Sequence, residues 1–146
     1  MPATVTALGP GVVTVGTSPL DFSCEVVGAS ITHEYEETNE RRVRLCGDAV
    51  EASEERTDGF TASLENDLMA AGLYAFLQSN DLTVQDFEFT PNSSVGATNA
   101  AKWAGTVVVK LPSSIGADEF GSPIASDIEW KASGAPATFT FTPGSD

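Results

Sequence analysis

Few side chains in this chain could do chemistry, and their spacing decides what kind. His33 is the single histidine, and it alternates with Ile31 and Tyr35 on one strand-like face. Acid–base or nucleophilic work needs a second group held within hydrogen-bond reach of the imidazole. No partner stands near His33 at a useful spacing, so packing in a core or an interface is its reading. A zinc site would have to add carboxylates to one histidine and the cysteines Cys24 and Cys46, a poor match to zinc ligand sets. Serines and aspartates are plentiful, but no G-x-S-x-G elbow presents a nucleophile. Glu36-Glu37 and Glu54-Glu55 have the residue type of a glycosidase pair, yet they lie in charged runs that read as solvated surface. Asp118-Glu119 with Asp127 offers oxygen ligands at a spacing that fits no calcium loop. There is no phosphate loop or dinucleotide fingerprint. The sequon Asn92-Ser93-Ser94 matters only in a secreted chain. The expectation is a protein that is not an enzyme, with no catalytic residue, no cofactor and no metal.

Composition narrows the class further. The 146 residues are 41% hydrophobic, which suits one globular domain with its own core. Twenty-one acidic residues against seven basic ones give a net charge of −14. That balance argues against gripping duplex DNA, which needs Lys and Arg to displace counterions, and against an anionic membrane surface. Met1–Pro19 has no basic start or long apolar run, and no segment approaches the roughly 20 apolar residues of a membrane span. A soluble chain made in a reducing cytoplasm, with both thiols free and partly buried, is expected.

The elements that must position these residues are mostly strands. The stretch Asp21–Asp58 reads as one long β-hairpin, about residues 22–56. Phe22, Cys24 and Val26 alternate; after Val26-Val27-Gly28 the apolar set continues on the other parity, as a β-bulge would cause. Thr38-Asn39 is placed at the tip, which sets Cys24 opposite Ser53 and Cys46 opposite Ile31, too far apart to bridge. Arms of about 15 residues would reach about 50 Å, whereas a compact chain of this length is only about 38 Å across. The hairpin should overhang its own domain. Residues 1–11 read as a flexible arm broken by Gly9-Pro10-Gly11, and Phe60, Ala62 and Leu64 as a strand. A helix over about 66–79, capped by Asn66 or Asp67, is expected from Met69, Leu73, Phe76 and Leu77. A parity flip at Gln85-Asp86 reads as a second bulge, and Phe139 and Phe141 mark a last strand in residues 137–146. The sum is mainly β: a β-sandwich or partial barrel, one flanking α-helix and one extended hairpin, in a single domain over 1–146.

Leu45-Cys46-Gly47-Asp48, then Leu64 to Asp67, Phe87-Glu88-Phe89-Thr90-Pro91-Asn92, Gly105-Thr106-Val107-Val108-Val109, Ile115-Gly116-Ala117-Asp118, Ile128-Glu129-Trp130 and Gly134-Ala135-Pro136 follow in an order that resembles the major tail tube proteins of long-tailed (siphovirus-type) bacteriophages. The resemblance spans nearly the whole chain. Ala117 and Lys131 depart from it, standing where a glycine and a proline are expected, and no immunoglobulin-like decoration follows Phe141.

The resemblance implies a virion protein of the viral tail, with a β-sandwich, one flanking helix and a long hairpin. Six subunits would close a ring, and rings would stack into a tube whose lumen conducts DNA without specific binding during ejection. Partners would be further copies of itself, the tape measure protein and the tail terminator and tip proteins, with no membrane. Alternation then assigns Glu88, Asp127 and Glu129 to the lumen wall, opposite the core-facing Phe87, Phe89, Ile128 and Trp130, with Asp86 beside them. Glu34, Glu36, Glu37, Glu40, Arg41, Arg42 and Arg44 become candidates for contacts between subunits or rings. The alternatives are a contractile-injection or secretion-system tube protein, and a soluble ligand-binding β-sandwich module.

Overall fold

The computed structural model describes residues 6–39, 41–51, 53–93 and 100–144. It is mainly β with a single α-helix, as the alternation demands. One antiparallel sheet runs β2 (Leu20–Asp21), β1 (Val12–Val15), β7 (Val84–Thr90), β8 (Lys102–Val108), β10 (Ala125–Ala132), β6 (Ser53–Glu65) and β3 (Val26–Asn39) in space. The short β9 (Ile115–Gly116) adds to β10, and β11 (Thr140–Thr142) adds to β8. A separate two-stranded piece, β4 (Arg42–Val43) with β5 (Ala49–Val50), caps the hairpin.

The sheet folds over at β8. Strand β10 joins it through two register pairs alone, Val107↔Ala132 and Val108↔Lys131, while β11 takes the other end of the same edge. The two halves therefore turn their apolar faces toward each other without closing a barrel. Phe60 on β6 meets Phe87 and Phe89 on β7 with ring centroids 4.8 and 5.4 Å apart. Trp130 is fully buried, lies edge-on to Phe22, and donates its indole N–H to the Lys110 carbonyl at 3.1 Å. In β10 burial alternates strictly from Ser126 through Ile128 to Trp130, with Asp127 and Glu129 exposed between them. Period-two alternation is what a strand with one wet face requires.

Three expectations from sequence need correction. The hairpin does not turn at Thr38-Asn39: Asn39 pairs with Ser53, and residues 41–51 lie at the tip, with Gly47 at φ +92 making its turn. Register is set lower down, where the core face of β3 must meet that of β6, so Ile31 pairs with Phe60 and not with Cys46. The expected bulge between Val26 and Gly28 is present, and a second irregularity lies between Glu37 and Asn39. Both cysteines are exposed, not partly buried. No bulge interrupts β7, which keeps register with β8 from Val84 to Phe89; the apparent flip arises because Leu82 and Val84 are simply exposed.

The helix also starts later than expected. α1 spans Leu73–Asn80, with Leu73 and Leu77 buried, while residues 66–72 form a loop that exposes Leu68 and Met69. Asp67 does not cap the helix: its carboxylate accepts the Met69 N–H at 2.9 Å in a local turn. Gly72 packs so closely that a Cβ there would lie 2.2 Å from the Asp67 carbonyl oxygen. The cap comes from far away in sequence. Glu25, buried at the end of a short 3-10 turn (Ser23–Glu25), accepts the Asp67 N–H at 2.8 Å and the Leu73 N–H at 3.0 Å. One carboxylate thus satisfies the first backbone donor of the helix, at its positive end, and a second donor in the loop before it. Glu25→Ala should cost about 2–3 kcal/mol, because both donors lose a charged acceptor. Urea titration followed by circular dichroism measures it, and a loss below ~0.5 kcal/mol, the usual scatter of surface changes, would contradict this role.

Candidate functional site

β10 accompanies β6 only from Glu65 to Gly59. From Asp58 outward, β6 pairs with β3 alone, so a two-stranded ribbon of six residue pairs, about 20 Å long, leaves the sheet and carries the tip at 41–51. Such a ribbon is marginal by itself in water. Its own side chains weaken it further: Glu36 stands directly opposite Glu55, and Glu37 opposite Glu54. Facing like charges destabilise a strand pair.

At the root of the ribbon sits Asp58, with a side chain only 2% exposed. Its Oδ1 accepts from His33 Nδ1 at 2.6 Å and Arg56 Nε at 3.0 Å. Its Oδ2 accepts from the Phe139 backbone N–H at 2.8 Å and Arg56 Nη2 at 3.3 Å. The Asp58 N–H closes the ring by donating to the Ala137 carbonyl. Burial pushes this carboxyl upward, but the His33 and Phe139 hydrogen bonds and the charges of Arg56 and His33 outweigh it, and Asp58 titrates below its ordinary value. His33 is therefore not core filler. It is a half-exposed donor that ties β3 to the carboxylate on β6, a pairing that sequence spacing alone could not reveal because the partners are 25 positions apart.

Outside this clamp, the face of the sheet turned away from the core is built in rows across β3, β6 and β10. Gly28, Ser63 and Asp127 share one row, Ser30, Thr61 and Glu129 the next, and Thr32, Gly59 and Lys131 the third. Gly59 keeps this row close, since a Cβ there would stand 2.8 Å from Thr32 Oγ1 and 3.1 Å from the Trp130 carbonyl oxygen. Lys131 reaches across to Glu34 at 2.8 Å. That hydrogen bond raises the lysine, partial burial draws it down, and the charges of Glu34 and Glu129 raise it again, for a net upward shift.

The candidate carboxylates fall into two pairs. Asp127 and Glu129 are exposed neighbours on β10. Asp86 and Glu88 are exposed on β7, where Glu88 lies 3.7 Å from Lys102. Since the inner faces of β6 and β7 meet, their outer faces point apart, and the two pairs are not brought together. Of the candidate contact residues, Glu34 is engaged by Lys131, Arg41 lies 3.6 Å from Glu51, Glu36 and Glu37 line the ribbon, and Arg42 and Arg44 stand at the tip. Glu40 lies outside the described residues. Among the described residues no three His, Cys, Asp or Glu side chains stand together as a metal site, and no helix is long and apolar enough to cross a membrane.

Fold and surface together define a mainly β protein whose distinctive parts are an acidic outer face and a projecting ribbon clamped at its root. In particular, the fold is similar to that of a chain in the cryo-electron microscopy structure of the anti-feeding prophage cap, the tube terminating cap of that particle. The TM-score is 0.63 at 13% identity, covering 99% of this chain and 96% of that one. No protein-family model matches the sequence, and no curated protein does.

The clamp has a pH signature. A carboxyl lowered on folding contributes stability that is complete above its ordinary value of 3.8 and is lost as pH falls through the folded value. Asp58→Asn should cost about 3 kcal/mol at neutral pH, because Arg56 and His33 lose their buried counter-charge. The variant should also show a flatter loss of stability below pH ~4. Denaturant melts of both proteins across the acid range check it, and parallel acid limbs would refute the assignment.

Proposed function

We propose that this chain is a structural subunit of a phage-tail-type tube, acting by self-assembly. The observation that carries the reading is the full-length likeness of its fold to a tube terminating cap. The ribbon supports it: an exposed, self-repelling projection makes physical sense where a neighbouring subunit shelters it. In this reading six copies close a ring, and rings stack into a tube of the long-tailed phage kind, with tape measure, terminator and tip proteins at its margins. Strand β3 pairs only with β6 among the described residues, and joining this long free edge to the next copy removes an edge-strand liability.

We assign the β3-β6-β10 face to the lumen. Asp127 and Glu129 then recur around the channel, and an acidic wall offers passing DNA no gain from counterion release. Asp86 and Glu88 face outward from the other half of the sheet. The second reading is a terminating cap, or a tube subunit of a contractile-injection particle, and it is favoured by the neighbour itself being a cap.

Electron microscopy of the concentrated protein tests both. Stacked rings with six-fold symmetry are expected; single rings that bind tube ends point to a cap, and a monomer at every concentration, even with other tail components added, overturns both. In assembled material, Asp127→Lys with Glu129→Lys should make the tubes retain DNA at low salt and release it at high salt. Asp86→Lys with Glu88→Lys should leave retention unchanged. Equal retention by the two variants in a sedimentation assay would contradict the lumen assignment.

A further inference from the structure

β6 loses β10 as a neighbour after Gly59, whose partner is Lys131. For one further residue a different segment takes its place. The Asp58 N–H donates to the Ala137 carbonyl at 2.9 Å, and Asp58 Oδ2 accepts the Phe139 N–H at 2.8 Å. That is the bonding of a parallel strand pair centred on Thr138, with a side-chain oxygen standing where the main-chain carbonyl would be.

The segment that makes these bonds, 137–142, is fastened at its other end to the opposite half of the sheet. Phe139 is buried with its ring 5.1 Å from that of Phe87, and it sits over Gly105, where a Cβ would be 3.1 Å from the Phe139 ring. β11 follows with three register pairs to β8, from Thr140↔Ala104 to Thr142↔Lys102, and all three of its residues are exposed. The attachment is narrow. One buried ring, a three-residue edge strand and two hydrogen bonds at Asp58 span the distance from β8 to the root of the ribbon.

Gly59 lies directly beside these bonds, where the sheet narrows from β3, β6 and β10 to β3 and β6 alone. A glycine there adds no side chain to resist a bend. Asp58 shares a face of β6 with Phe60, and on that face the ribbon is held through 137–142. On the opposite face the tie is the exposed pair of Lys131 with Glu34. An exposed ion pair is screened by water and holds weakly, so the buried side decides the angle.

We propose that segment 137–142 is a releasable strap: seated on β8 it holds the ribbon at one angle through Asp58, and unseated it frees the ribbon to swing about Gly59. Strap and ribbon then move as one device, with the short hinge and the packed seat typical of a two-position element. The device belongs to the single chain and does not depend on the assembly reading above.

The experiment uses the full chain in dilute solution. One spin label sits on the native Cys24, exposed in the body of the fold, and the other on Glu55→Cys in the ribbon, with Cys46→Ser removing the second exposed thiol. The labels stand about 30 Å apart along β3, within range of pulsed dipolar spectroscopy. Gly105→Val fills the seat of the Phe139 ring, and Phe139→Ala removes the ring; the two loosen the strap from opposite sides of one contact, so either that keeps the parent circular dichroism suffices. Exchange of the amide at position 139 gauges the seating and should accelerate about 10-fold. In the same variants the distribution of label distances should broaden about twofold, whereas Glu34→Gln should leave it as in the parent. A faster amide at 139 with an unchanged distribution overturns the proposal. So does a Glu34→Gln chain whose distribution broadens as much as that of Gly105→Val, since the ribbon would then be held on its other face.

Discussion

A buried carboxylate is costly unless its oxygens are fully engaged, and Asp58 engages both through four donors on three separate parts of the chain. Everything beyond it depends on that. Inside Asp58, β6 has neighbours on both edges; outside it, the strand has β3 alone. The carboxylate stands at this transition, holding β3 through His33, its own strand β6 through Arg56 and the carboxy-terminal segment through Phe139. A rigid root gives a weak ribbon a defined direction, which a loop of equal length would lack. The requirement is geometric: a projection can find a distant surface on a neighbour only if its angle of departure is held.

The outer face is controlled by different means. Its rows across β3, β6 and β10 use Gly, Ser and Thr, with carboxylates at alternate positions of β10. Small side chains keep the wall flat, and Lys131 is drawn aside by Glu34, so its charge is answered locally. A smooth acidic wall on one side and an aromatic core on the other follow from the same period-two alternation.

Much of this was legible from sequence, and the reasons for success and failure are physical. Alternation around Trp130 and Phe87 identified core and exposed faces because each strand has one dry side. The bulge at Val26–Gly28 was readable because a single inserted residue shifts apolar parity. The hairpin tip was misplaced because Arg41, Val43 and Leu45 alternate as a strand would; that pattern belongs to the separate β4–β5 turn, where no core face fixes register. Residues 66–72 passed for helix because Met69 falls in phase with Leu73, whereas the true start is set by Gly72 and by Glu25, 48 positions before Leu73. The His33–Asp58 pair was equally invisible. Contacts made by tertiary structure leave no local period to read.

The free edge of β3 bears on how the chain survives before it is used. A strand of 14 residues with one unpaired edge is a template on which any other extended chain can add. Here that edge carries Glu34, Glu36 and Glu37, so two such edges approaching at random meet carboxylate against carboxylate, and indiscriminate cross-β aggregation is disfavoured. The same glutamates that loosen the ribbon in a lone molecule act as gatekeepers against fibrillar association. Ribbon weakness is in this sense the cost of keeping such edges apart at high protein concentration.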